Sequence, residues 1–230
     1  MRAITALVAG LALALMVVGL ALVPLLHPTF TKLLVQRYSE TSQAGLTQAQ
    51  MFHNAELVRE FVADGDINTL PATVGSRPGF DGAAVSHLRD VRGVLSGART
   101  FTGIIAALVV VWLGVETARK RFHTIAWALM AAAGFCLLFV VLGALAGTMN
   151  FEALFSWFHS LFFSAGTWEF PYDSLLIELF PEGFWIAAGV TWATIVAVVG
   201  ALLGVAGWMI RRAELHASSF AENGKNVNGA

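Results

Sequence analysis

The sequence predicts an all-α, polytopic membrane protein: four transmembrane helices, a helical extracytoplasmic cap and an interfacial amphipathic helix. Three observations carry this. Hydrophobic residues fill 57% of 230 positions against 13% charged, well outside the usual soluble balance. Four stretches are nearly free of charge: Ala3 to Leu26, the region between Arg99 and Arg119 interrupted only by Glu116, Phe122 to Phe151, and Gly183 to Ile210. Each exceeds the roughly 20 residues a helix needs to cross hydrocarbon. Finally, the basic residues cluster at particular span ends. The net charge of −1 gives no reason to expect a nucleic-acid partner.

The spans are expected at about 3–26, 100–118, 124–149 and 184–210, within one membrane domain covering 1–217. Residues 218–230 read as a flexible polar cytoplasmic tail. The first stretch is taken as a span and not as a cleaved signal peptide, because its apolar run is long and no clear small-x-small site follows it. Arg2 precedes span one, Arg119, Lys120 and Arg121 fill the turn between spans two and three, and Arg211 and Arg212 close span four. The positive-inside rule makes these ends cytoplasmic. The segments 27–99 and 150–183 then lie outside; from Asn150 to Glu182 there are five acidic residues (Glu152, Glu169, Asp173, Glu178, Glu182) and no lysine or arginine. Both termini are expected in the cytoplasm. Glu116 is expected to snorkel or to pair with Arg119 or Lys120. Cys136 lies inside an apolar run and reads as a small buried hydrophobe.

In the first outer segment, Thr47 and Gln50 form a capping box ahead of apolar Met51, Ala55, Val58 and Val62. A loop rich in Gly and Pro follows from Asp64 to Phe80. Asp81 then caps a helix with an apolar stripe at Val85, Leu88, Val91 and Leu95, while His87 and Asp90 share another face, and this helix should run straight into span two. In the second outer segment, Phe151, Leu154, Phe155, Phe158 and Phe162 are spaced for one helical face; Glu152, Ser156, His159 and Ser160 line another. That pattern describes a helix lying in the headgroup region. Trp157, Trp168, Tyr172 and Trp185 suit the same interface as anchors. A short amphipathic stretch from Asp173 to Phe180 leads past Pro181 into span four.

Spacing alone favours a solvated face for His87 and an inert interfacial histidine for His159. The same spacing also suits a base, His87, with an orienting carboxylate, Asp90, and a second acid or base in His159. The chain has no G-x-S-x-G elbow and no H-E-x-x-H pair, and its single cysteine is at membrane depth, so neither an acyl-enzyme nor a thermolysin-like zinc site announces itself. A three-ligand metal site would require His87, Asp90 and His159 to converge. Charges are scarce within the spans and the halves show no repeat, which weakens a transporter reading.

Two strings carry a resemblance: His-Leu-Arg-Asp-Val-Arg from His87 to Arg92, and the run from Phe158 to Phe170 continuing through Asp173 and Pro181. They resemble the signature segments of a family of four-span bacterial membrane proteins, the lipoprotein intramolecular transacylases. The family's H-x-x-D-V motif falls on His87, Asp90 and Val91; its F-H-x-x-F-F motif falls on Phe158, His159, Phe162 and Phe163. The resemblance implies transfer of the sn-2 acyl chain of a diacylglyceryl-modified lipoprotein cysteine onto its own α-amino group, giving a lyso-form lipoprotein. It further implies catalytic roles for His87 and His159, and orienting or substrate-binding roles for Asp90, Arg92, Phe158, Phe162, Trp168 and Asp173. Neither metal nor cofactor is expected, and the implied partners are lipoprotein substrates in the outer leaflet together with membrane lipids. An α-amino group of pKa about 8 needs a base at neutral pH, and histidine is matched to that task. The rival readings are a non-catalytic partner-binding or assembly protein and a metal-dependent hydrolase. If the catalytic reading holds, the two imidazoles lie within roughly 10 Å of each other.

Overall fold

A computed structural model describes residues 2–39, 41–65 and 67–227. In chain order the elements are α1 (Arg2–Leu20), a 3-10 turn (Pro24–Leu26), α2 (Pro28–Tyr38), α3 (Thr41–Ala44), α4 (Gln48–Ala63), the two-residue strands β1 (Thr73–Val74) and β2 (Arg77–Pro78), α5 (Gly82–Ala118), α6 (Phe122–Met149), α7 (Phe151–Phe162), α8 (Leu175–Leu179) and α9 (Glu182–Val227). Four helical segments, Ala3–Leu26, Gly82–Ala118, Phe122–Met149 and Glu182–Ala217, are long and apolar enough to cross a membrane. The protein is a multi-pass, all-α membrane protein. The helix expected to run into span two does so, as one unbroken α5. The polar segment expected as a flexible tail over 218–230 continues α9 as far as Val227, and residues 228–230 lie outside those described. Where one domain was expected over 1–217, the chain divides into two compact units: Met1–Leu20, Phe101–Leu142 and Thr194–Ala230, and Ala21–Thr100 with Gly143–Ala193.

The first unit is built on small residues. Helix α6 buries Ala126, Ala128, Ala132 and Cys136. A side chain on Gly10 of α1 would meet Ala131 at 2.6 Å, and one on Gly200 of α9 would meet Cys136 at 2.7 Å. Glycine at these points lets backbones approach, and in lipid that close packing replaces the hydrophobic drive that water would supply. Cys136 is thus a buried packing residue. Between α5 and α6 the chain reverses at Lys120, whose φ of 54° is left-handed. That reversal brings Arg121, and neither Arg119 nor Lys120, to the buried Glu116, with the charges 3.6 Å apart.

In the second unit the helices are stopped and started by their side chains. Thr47 and Gln50 exchange the two bonds of a capping box at α4 (Thr47 N–H to Gln50 Oε1 2.9 Å; Gln50 N–H to Thr47 Oγ1 3.3 Å). Asp81 accepts from the Ala84 N–H at 2.7 Å to open α5, and Asn150 accepts from Ala153 at 2.9 Å to open α7. Each satisfies an orphan donor of the first turn. Part of the expected loop from Asp64 to Phe80 is a hairpin, with Val74 opposite Arg77 and Gly75 at φ 61° between them, a conformation that favours glycine. The core of this unit gathers Val35, Met51, Phe61, Leu88, Leu175, Leu179 and Phe184.

One polar knot pins the hairpin to α8. Arg77 pairs with Glu178, which is only 3% exposed, and also donates to the carbonyls of Ala44 at 2.9 Å and Asp173 at 2.8 Å. Breaking such a pair strands a buried charge, whereas an apolar pair can replace it. Arg77→Met alone is therefore expected to cost about 3–5 kcal/mol. Arg77→Met with Glu178→Leu should recover most of that, as read by thermal denaturation in detergent.

Candidate active site

The two histidines meet inside the second unit. The rings of His87, on α5, and His159, on α7, stack at 6.2 Å between centroids with 28° between planes. His87 is 7% exposed, so the solvated face expected from spacing is not formed. Its ring meets Phe163 edge-on at 4.9 Å and Phe170 at 5.6 Å. His159 lies against Phe155 at 4.0 Å, Trp168 at 4.8 Å and Phe158 at 5.7 Å. An aromatic wall thus surrounds the pair from α7 and from the turn that follows it.

Local geometry settles the chemical state of His159. Its Nδ1 lies 2.8 Å from the Phe155 carbonyl oxygen one helical turn back. A carbonyl can only accept, so Nδ1 carries the proton and donates it, which leaves a lone pair on Nε2 of the neutral ring. Burial holds this imidazole below the ordinary histidine range, partly offset by the hydrogen bond to Phe155. A neutral His159 can therefore take a proton at Nε2 at neutral pH. Two further polar atoms of the cluster are sealed from solvent without hydrogen-bond partners: Nδ1 of His87 and Nε1 of Trp168.

The remaining expected site residues divide. Phe158 edges His159, and Trp168 lies against it. Asp90 is exposed and makes no hydrogen bond to His87, so it does not orient that ring directly. With Arg89, Phe162, Phe163, Ser164 and Thr167 it lines a cavity of about 510 Å³. Arg92 is committed elsewhere: it donates to the carbonyls of Phe61 at 2.5 Å and Ile67 at 2.7 Å and stacks over the Phe61 ring at 4.1 Å, tying α5 to the end of α4. Asp173 offers Arg77 its backbone carbonyl while its side chain is exposed. Among the described residues no group of three His, Cys, Asp or Glu side chains could hold a metal ion, so His87, Asp90 and His159 do not converge as ligands.

The family described as lipoprotein intramolecular transacylase Lit matches residues 5–185 of this sequence. The chain belongs to that family. In fold it is similar to the membrane integral lipoprotein intramolecular transacylase of Bacillus cereus, with TM-score 0.75 at 18% identity over 94% of this chain and 98% of that one. Structures of that transacylase with a histidine replaced by arginine or by alanine match at TM-score 0.73 and 16% identity. An uncharacterized protein of Aquifex aeolicus (strain VF5) is 29% identical over 126 residues, 55% of this chain and 53% of the relative. The chain thus spans about half the length of that curated relative.

Within this transacylase-family fold, Phe155, Phe163 and Phe170 are site residues that sequence reasoning misses. Phe155 reads as part of an apolar stripe, although it stands four residues before His159 and so one helical turn away. Phe163 falls in the family motif. Phe170 lies beyond a turn, and nothing in its spacing points to His87. Nitrogen-15 spectra of His159 are expected to show Nδ1 protonated and Nε2 bare at pH 7. The ring should titrate below about 6.5, the ordinary histidine value; protonation at Nε2, or a midpoint above it, would contradict the assignment.

Proposed function

We propose that the protein is a transacylase that moves the sn-2 acyl chain of a diacylglyceryl-modified lipoprotein from glycerol to the α-amino group of the same N-terminal cysteine. Family membership and the fold support the general class. The observation that carries the reading is the stacked pair of buried His87 and half-buried His159, with one Nε2 lone pair left free by the Nδ1 bond to the Phe155 carbonyl.

In the proposed mechanism His159 Nε2 accepts a proton from the amine as its nitrogen adds to the ester carbonyl carbon. The bond from that carbon to the glyceryl oxygen then breaks; the leaving oxygen takes a ring proton from His87, which recovers one from the His159 imidazolium stacked on it, so both rings finish neutral. Amine and ester belong to one molecule, so the site has mainly to fold the headgroup into attack geometry, which can contribute several kcal/mol. Asp90, which makes no hydrogen bond to His87 and lines the neighbouring cavity, would hold the substrate ammonium before transfer. The exposed Trp157, Phe158, Leu161 and Phe162 of α7 suit a helix lying in the outer headgroup region. The basic residues at Arg119 to Arg121 and at Arg211 and Arg212 support cytoplasmic termini and an extracytoplasmic site. We infer lipoproteins and bilayer lipids as partners.

Expression in a strain lacking N-acylation is the test. Lipoprotein N-terminal peptides should become N-acylated lyso-forms of unchanged mass, read by mass spectrometry, because an intramolecular transfer conserves composition. His87→Ala or His159→Ala should each lower conversion at least about 100-fold, within the range general acid–base catalysis contributes, with the variant still present in the membrane. A gain of one acyl mass would indicate a phospholipid donor, a loss would indicate a hydrolase, and full conversion by both variants would remove the histidines from the reaction.

A further inference from the structure

Trp168 carries a donor with nothing to donate to. An indole N–H can only donate, and in this protein Nε1 of Trp168 is sealed from solvent without an acceptor. Burying a donor in that state is costly, and such groups call for an explanation. A tryptophan serving as an interfacial anchor keeps its N–H in the wet headgroup region; this one does not. Its ring lies 4.8 Å from the His159 ring with 34° between the planes, and 6.3 Å from Phe155. The indole N–H makes no hydrogen bond to the tilted imidazole beside it and so leaves the His159 Nε2 lone pair unspent. A proton acceptor and an uncommitted donor therefore stand side by side in an aromatic cluster.

Acyl transfer needs that combination. When an amine adds to an ester carbonyl, the carbonyl oxygen becomes anionic, and a preorganised donor in a water-poor site stabilises it far more than it stabilises the neutral ester. We propose that the indole N–H of Trp168 is the oxyanion donor of the reaction, hydrogen-bonded to the carbonyl oxygen of the migrating acyl group. This rests on the reading of His87 and His159 as the acid–base pair. The carbon–nitrogen bond forms, the carbon–oxygen bond to glycerol breaks, one proton leaves the amine and one reaches the glyceryl oxygen. Trp168 exchanges no atom with the substrate throughout.

Trp112 supplies an internal control. Its Nε1 is likewise buried and unpaired, but its ring packs with Ala9, Leu13, Val109 and Ala132 in the apolar core of the first unit, whereas both histidines of the pair belong to the second. The experiment places benzothienylalanine, which keeps the bicyclic ring and replaces N–H by sulfur, at position 168 or at position 112 of the full chain in nanodiscs. A synthetic diacylglyceryl-cysteine lipopeptide is the substrate. At position 168 the expected loss is about 100- to 1,000-fold in kcat, as for other oxyanion donors, with KM changed less than about threefold, the signature of an interaction made only in the transition state. The analogue at position 112 should leave both parameters within about twofold. Trp168→Phe, which also loses the donor, should fall at least as far as the analogue. Full kcat with the analogue at position 168, or a loss confined to KM, overturns the proposal. If that happens while His87→Ala and His159→Ala are inactive, the oxyanion role alone fails; if the histidine variants are active, the acid–base reading fails with it.

Discussion

A single hydrogen bond inside one helical turn, from Nδ1 of His159 to the carbonyl of Phe155, sets the chemistry available to the site. It spends the only N–H of the neutral ring on the backbone and so leaves Nε2 as a lone pair. The rings of Phe155 and Trp168 partly bury the imidazole, and that burial favours the uncharged ring. His87 is held opposite by Phe163 and Phe170, residues of the turn after α7. The Arg77 to Glu178 pair and the Arg92 contacts hold the hairpin, α8 and α4 around α5. Polar groups with the strongest structural bonds therefore stand outside the stacked pair, and those within it are left underbonded.

That division bears on the proposed reaction. A substrate carrying both amine and ester needs no covalent acyl-enzyme, and the only cysteine of the chain is buried beside Gly200. What such a reaction does need is a base, a proton donor and help for the developing oxyanion, all in a region of low dielectric. A pair of histidines in an aromatic pocket supplies the first two. The small residues along α6 serve a different end: close approach at Gly10 and Gly200 builds a tightly packed helical framework in the first unit.

Elements dictated by local chemistry were legible in the sequence. The capping box at Thr47 and Gln50, the Asp81 cap, the continuity of α5 and the four apolar helices all follow from short-range rules. Burial was harder to read. His87 and Asp90 are three residues apart, yet one is buried and the other exposed, because Phe163 and Phe170 from a distant segment cover His87 alone. Glu116 finds Arg121 instead of its neighbours because Lys120 adopts a left-handed turn that no composition rule marks. Arg92 was assigned to the site because it falls in the motif string. Its actual partners, the carbonyls of Phe61 and Ile67, are backbone groups without a sequence signature. The hairpin at Thr73 to Pro78 is two residues deep and leaves no alternating pattern to detect.

The central claim is that the histidine pair acts on an amine and an ester held in the same molecule. Its most direct test mixes two lipopeptide populations, one with deuterated acyl chains and one with nitrogen-15 in the N-terminal cysteine, and follows their conversion by the purified protein in nanodiscs. The account predicts N-acylated products that keep the parental labelling, deuterated chains on unlabelled nitrogen and ordinary chains on nitrogen-15. Products carrying deuterated acyl chains on nitrogen-15 would show that acyl groups pass between molecules, and would contradict it.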